Sequence, residues 1–117
     1  MSNQFGKAGE EYTAQWLETQ GYIVKARNYR SRYGEIDIIA ENHEYIVFVE
    51  VKTRRSGAMV SPLEAVTREK QRKILLTAQT YLLKSSSALQ PRFDVSAVTV
   101  AHGEILGLQY FPNAFGE

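Results

Sequence analysis

Tyr45-Ile-Val-Phe-Val-Glu-Val-Lys-Thr53 is the stretch that decides the fold. Its first five residues are apolar without a break, so both faces of an extended chain would be apolar there, the pattern of a central strand covered on each side. Glu50 and Lys52 then interrupt the run. Being two apart in a strand, they leave the same face as Ile46 and Phe48, roughly 6–7 Å from each other. A carboxylate and an ammonium on a strand otherwise built for burial are costly to desolvate unless they are paired or hold a cation.

Just upstream, Ile36, Ile38 and Ala40 alternate with Glu35, Asp37 and Ile39 within the run Tyr33 to Ala40, the period of a second strand. Polar Glu41-Asn-His-Glu44 supplies a turn, so the two strands form an antiparallel hairpin. A register symmetric about residues 42–43 places Asp37 near position 48, with Glu50 diagonally within side-chain reach. Before them, residues 22–29 open with Tyr22-Ile-Val24 and read as a short strand, followed by a polar turn from Arg30 to Gly34. Phe5, Ala8, Tyr12, Trp16 and Leu17 recur at helical spacing and Gly21 follows as a stop, which predicts a helix over residues 4–20.

Downstream, a loop through Gly57 leads to Ser61-Pro-Leu-Glu64, a capping box with proline at its first helical position, so a helix is expected to start there. Thr67 offers a second cap. Ile74, Leu75, Ala78 and Leu82 form one stripe up to about Lys84, and Ser85-Ser-Ser87 ends it. Residues 92–100 read as a strand, His102-Gly103 as a turn, and residues 104–110 as a last strand. The tail Phe111 to Phe115 is too aromatic for a free end. The expected fold is α/β: a mixed central sheet flanked by helices, in the order helix, three strands, helix, two strands. The long helical crossover implies a parallel, right-handed connection.

The chain of 117 residues suits a single domain spanning 1–117. At 44% hydrophobic and 23% charged it has an average globular composition, which excludes disorder and fibres. With no cysteine, any metal must take oxygen or imidazole ligands. No run of 18 apolar residues predicts a membrane span, and the polar start Met1 to Gln4 lacks a signal-peptide apolar region, so the cytoplasm is the expected compartment. Net charge is only +1, but eleven of the fourteen basic residues fall in three segments: Lys25 to Arg32, Lys52 to Arg55, and Arg68 to Lys73. Phosphate contacts from Arg30, Arg32, Arg54, Lys70 and Lys73 would position a nucleic-acid backbone without reading sequence.

Two carboxylates, Asp37 and Glu50, thus converge beside Lys52. Hard oxygen donors of this kind suit Mg²⁺ or Mn²⁺, with Lys52 assisting a hydrolytic water or offsetting charge on a phosphate. A cross-strand ion pair on a solvated hairpin would explain Glu-x-Lys equally well. Glu10 and Glu11 are adjacent helical residues, about 100° apart, so only one of them can face such a site.

The motifs Gly6-x-x-Gly9-Glu10, Arg27-Asn-Tyr-Arg30, Gly34-Glu-Ile-Asp37-Ile-Ile, Val47-Phe-Val-Glu-Val-Lys-Thr-Arg54 and Arg92-Phe-Asp-Val95 resemble, in order and spacing, those of the YraN family. That family comprises small bacterial endonuclease-like proteins similar to archaeal Holliday junction resolvases. The resemblance spans about residues 5–100 and extends to the PD-(D/E)xK nuclease superfamily, although Ile36 stands where proline would precede the aspartate. It implies a restriction-endonuclease-like fold and a metal-dependent endonuclease acting on structured or branched DNA. Asp37, Glu50 and Lys52 would match the catalytic motif. Glu10 would be the carboxylate of the opening helix, and the carbonyl of Val51 a further metal ligand. Homodimers are implied as well, since a four-way junction presents two equivalent cleavage positions, though no separate dimerisation element is visible. The other reading is a catalytically inactive module that keeps the fold to bind nucleic acid or a protein partner. Roles for Glu35, Gln71 and Asp94 stay open.

Overall fold

A computed structural model describes residues 4–116. The elements run α1 (Gln4–Thr19), β1 (Ile23–Arg30), β2 (Glu35–Glu41), β3 (Tyr45–Arg55), α2 (Arg68–Ser85), β4 (Gln90–Ala101) and β5 (Glu104–Phe115). They build one five-stranded mixed sheet in the order β1-β2-β3-β4-β5. All neighbours pair antiparallel except β3 and β4, which are parallel and joined through α2. The α/β architecture and element order match the expectation. Among the described residues no helix is long and apolar enough to cross a membrane.

β3 is buried on both faces, as its unbroken apolar run requires. Ile46 and Phe48 join Ile39, Ile74, Ala78 and Val95 in a core beneath α2. Val47 and Val49 join Ile38, Ala40, Ala14 and Leu17 in a second core beneath α1. Each large side chain fully buried in this way contributes about 1.5–3 kcal/mol relative to exposure.

α1 ends in a Schellman motif. Gly21, at φ 92°, donates its N–H to Glu18 O (3.1 Å), and Tyr22 donates to Leu17 O (3.0 Å). The face α1 buries is rotated from the expected stripe: Gly9, Thr13, Ala14 and Leu17 face the sheet, while Phe5 and Tyr12 are exposed. Small side chains let the helix approach closely. A Cβ on Gly9 would overlap Thr53 Oγ1, and Thr13 Oγ1 hydrogen-bonds Ser96 Oγ at 2.8 Å.

Three local expectations are corrected. The capping box at Ser61 closes a single helical turn, Ala65 N–H to Ser61 O at 3.1 Å. Val66 then drops into the core and Thr67, extended at ψ 164°, caps α2 instead, its Oγ1 accepting from Lys70 N–H. The last strand runs to Phe115, not residue 110, because the tail's rings continue a stack in which Phe93 lies 5.3 Å from Phe48 and 5.5 Å from Phe115. Finally, Ile38 pairs with Val49 and Glu41 with Ile46, which sets the hairpin two residues away from the expected register. The turn centres later because Asn42 Oδ1 accepts the N–H groups of Glu44 (2.8 Å) and Tyr45 (2.7 Å).

Candidate functional site

Continuing that register by one residue brings Asp37 level with Glu50 rather than diagonal to it. The β2–β3 ladder ends at Ile38 and Val49, and beyond it the Asp37 carboxylate takes the place of a backbone acceptor: Val51 N–H donates to Asp37 Oδ2 at 2.8 Å. This bond fixes the carboxylate against β3. The side chain of Glu50, only 5% exposed, leaves the same face, and its Oε2 lies 3.7 Å from Lys52 Nζ and 3.6 Å from Lys70 Nζ.

A cleft of about 710 Å³ opens over these groups, bordered by Gly6 and Glu10 of α1, Asp37, Glu50 to Arg55 of β3, and Lys70 of α2. Burial and the Glu50 charge push the Asp37 carboxyl up from its ordinary 3.8 to about 8, partly opposed by the Val51 N–H. Burial also raises Glu50, against the pull of Lys70 and Lys52. Two carboxyls that both hold protons too tightly at one spot are a site short of positive charge.

The rotation of α1 separates its two glutamates. Glu10 borders the cleft, its Oε1 accepting from Asn28 Nδ2 at 3.1 Å, while Glu11 turns outward to Arg27 at 3.0 Å. Asn28, held at φ 51°, also donates to Glu35 Oε2 at 3.4 Å and so joins Glu10 to Glu35, which in turn pairs with Arg30 Nε at 3.4 Å. Gln71 does not reach the site: its Nε2 donates to Val66 O at 3.0 Å. Asp94 is a structural acid, fully buried and bound by Arg92 (2.9 Å), the Tyr110 hydroxyl (2.6 Å) and Asn113 N–H (2.9 Å).

The basic residues divide. Arg54 and Lys70 border the cleft. Arg30 lines a neighbouring pocket with Glu10 and Asn28. Arg32 and Lys73 share a separate surface pocket with Tyr33. Of the two α2 residues that the sequence allows to reach the site, Lys70 does so through Glu50 and Gln71 does not, whereas the Asn28 bridge has no sequence signal. A Thr67 cap would have placed Lys70 in the first helical turn, but not over Glu50.

Among the described residues no three Asp, Glu or His side chains are gathered into a ready-made metal cage. The donor chemistry nevertheless fits a hard divalent cation. Both carboxylates offer hard oxygen donors, both gain from a nearby positive charge, and Val51 and Glu10 border the same cleft.

Residues 9–98 match the family described as "Uncharacterised protein family UPF0102", a range that holds Glu10, Asp37, Glu50, Lys52 and Asp94. The chain belongs to the UPF0102 family. This is the family to which the YraN-like motifs pointed. The UPF0102 chain is 42% identical to a UPF0102 protein of Dictyoglomus turgidum over 118 residues, covering 98% of this chain and 100% of that one. It is 44% identical to one of Rhodococcus opacus over 111 residues, 94% of each chain, and 45% identical to one of Symbiobacterium thermophilum over 116 residues, 98% of each.

Proposed function

We propose that this UPF0102 chain is a divalent-metal-dependent endonuclease that hydrolyses phosphodiester bonds in branched or otherwise structured DNA. The observation that carries the reading is the pair of carboxylates, Asp37 and Glu50, level with each other beside Lys52 in an open cleft. Asp37 and Glu50 would hold Mg²⁺ or Mn²⁺, with Glu10 and the carbonyl of Val51 completing the protein's share of ligands. An ion held there would supply Lewis acidity and lower the pKa of water. Lys52, fixed two residues from Glu50 on a rigid strand, orients that water or offsets charge developing on the phosphate. Arg54 and Lys70 at the cleft, with Arg30, Arg32 and Lys73 further out, hold the backbone by charge.

Cleavage of junction, flap and duplex DNA with Mg²⁺ or Mn²⁺ is the test. Asp37→Ala and Lys52→Ala are each expected to lose about a hundredfold or more in rate. Undiminished cleavage in both variants refutes the site. A non-catalytic nucleic-acid-binding module is the second reading, favoured by one observation: two lysines already partner Glu50. It predicts salt-sensitive binding with no metal-dependent turnover.

A further inference from the structure

Lys52 and Lys70 approach the same oxygen of Glu50 but are not equivalent. Lys52 comes from Glu50's own strand, two residues on, at 3.7 Å and 33% exposed, so its backbone is held beside the carboxylate by the sheet. Lys70 belongs to α2, where the Thr67 cap fixes its backbone (Lys70 N to Thr67 Oγ1, 3.2 Å) while its side chain stays 41% exposed at the cleft edge. At 3.6 Å its contact is a Coulombic pairing longer than a good hydrogen bond, the kind that exchanges readily. Arg54 and Arg55 border the same cleft, so an anion entering there meets Lys70 among other cations.

We propose that Lys70 is an exchangeable counter-ion: it occupies Glu50 in the free protein, yields the carboxylate to a divalent cation, and moves to a phosphate of the bound nucleic acid. This rests on the metal-dependent nuclease reading and deepens it. A divalent ion on Glu50 repels the ammonium beside it, and a phosphate in the cleft attracts the ammonium so released. Lys70 therefore opposes cation binding in the free protein, supports DNA binding once the cation is present, and couples the two events.

The test is Lys70→Met, which keeps the aliphatic stem and removes the charge, with Lys70→Arg as the charged control. Mn²⁺ affinity of the protein alone is measured at about pH 8 from the electron paramagnetic resonance signal of free Mn²⁺. Affinity for a labelled four-way junction is measured by anisotropy, in Ca²⁺ and in EDTA. Lys70→Met is expected to bind Mn²⁺ several-fold to about tenfold more tightly. It should lose several-fold in junction affinity in Ca²⁺ and little in EDTA, while Lys70→Arg tracks the wild type. Wild type that binds Mn²⁺ with Lys70→Met no tighter, an equal loss of junction affinity in both media, or an arginine variant that behaves like methionine overturns the exchange and leaves the nuclease reading standing. Absence of Mn²⁺ binding in wild type and variants alike overturns both.

Discussion

Asp37→Asn should stabilise the metal-free protein, and increasingly so as pH rises. The amide oxygen can still accept the Val51 N–H that Asp37 Oδ2 accepts at 2.8 Å, so the hairpin keeps its closure while the charge disappears. In the wild type, burial and the Glu50 charge move this carboxyl from 3.8 to about 8. Between those values the folded protein retains a proton that the unfolded chain gives up. The group's contribution to stability is thus fully present below about pH 4 and is lost as pH rises through 8. At about 1.4 kcal/mol per tenfold change in proton affinity, the full span is roughly 5–6 kcal/mol. Asp37 is only half-buried, and solvent screening reduces this to about 2–3 kcal/mol. For a domain of this size that corresponds to about 10 °C in Tm. Melting followed by circular dichroism in EDTA, at about pH 4.5 and about pH 8.5, reads the effect directly. The gap between Asn variant and wild type should widen by about 10 °C at the higher pH. A gap that is constant or narrows with pH refutes the reasoning that partial burial and the Glu50 charge raise this carboxyl.

Two further substitutions probe the frame around the site. Asp94→Ala leaves the Arg92 guanidinium and the Tyr110 hydroxyl without their buried acceptor and should cost about 3–5 kcal/mol in urea unfolding; a loss below about 1 kcal/mol would show that the network does not anchor β5. Gly9→Ala pushes a Cβ onto Thr53 Oγ1 and should cost about 1–3 kcal/mol. Most of that loss should be recovered in Gly9→Ala/Thr53→Ala, and additive single losses would show that close approach of α1 to β3 is not the cause.

What the sequence reveals here follows from what each pattern encodes. Period and burial are local, so β3, its helix-covered faces and the Asp37, Glu50, Lys52 grouping are legible in residues 33–53 alone. Register depends on a side chain that composition treats as generic turn material: Asn42 sets the hairpin two residues from the symmetric expectation. At the start of α2 two caps compete, and the choice of Thr67 over Ser61 is made by Val66 entering a core that the local sequence does not display. The buried face of α1 departs from its apolar stripe for a related reason. Apolar periodicity favours Phe5, Tyr12 and Trp16, but contact with a sheet rewards small residues, and Gly9 and Thr13 take the buried face. Asn28 on Glu10 and Tyr110 on Asp94 join residues distant in the chain, and neither carries a sequence signature.

Under the proposed endonuclease reading, the Asp37 to Val51 bond means that one acid answers to two kinds of selection. A lineage that abandoned chemistry at this cleft would still be held to a hydrogen-bond acceptor at position 37, because without one the Val51 N–H loses its partner where β2 parts from β3. Persistence of that aspartate among relatives therefore reports hairpin closure as much as turnover. The Lys52 side chain closes no backbone bond and forms no part of either core, so under the proposed endonuclease reading its loss or retention is the cleaner marker of turnover.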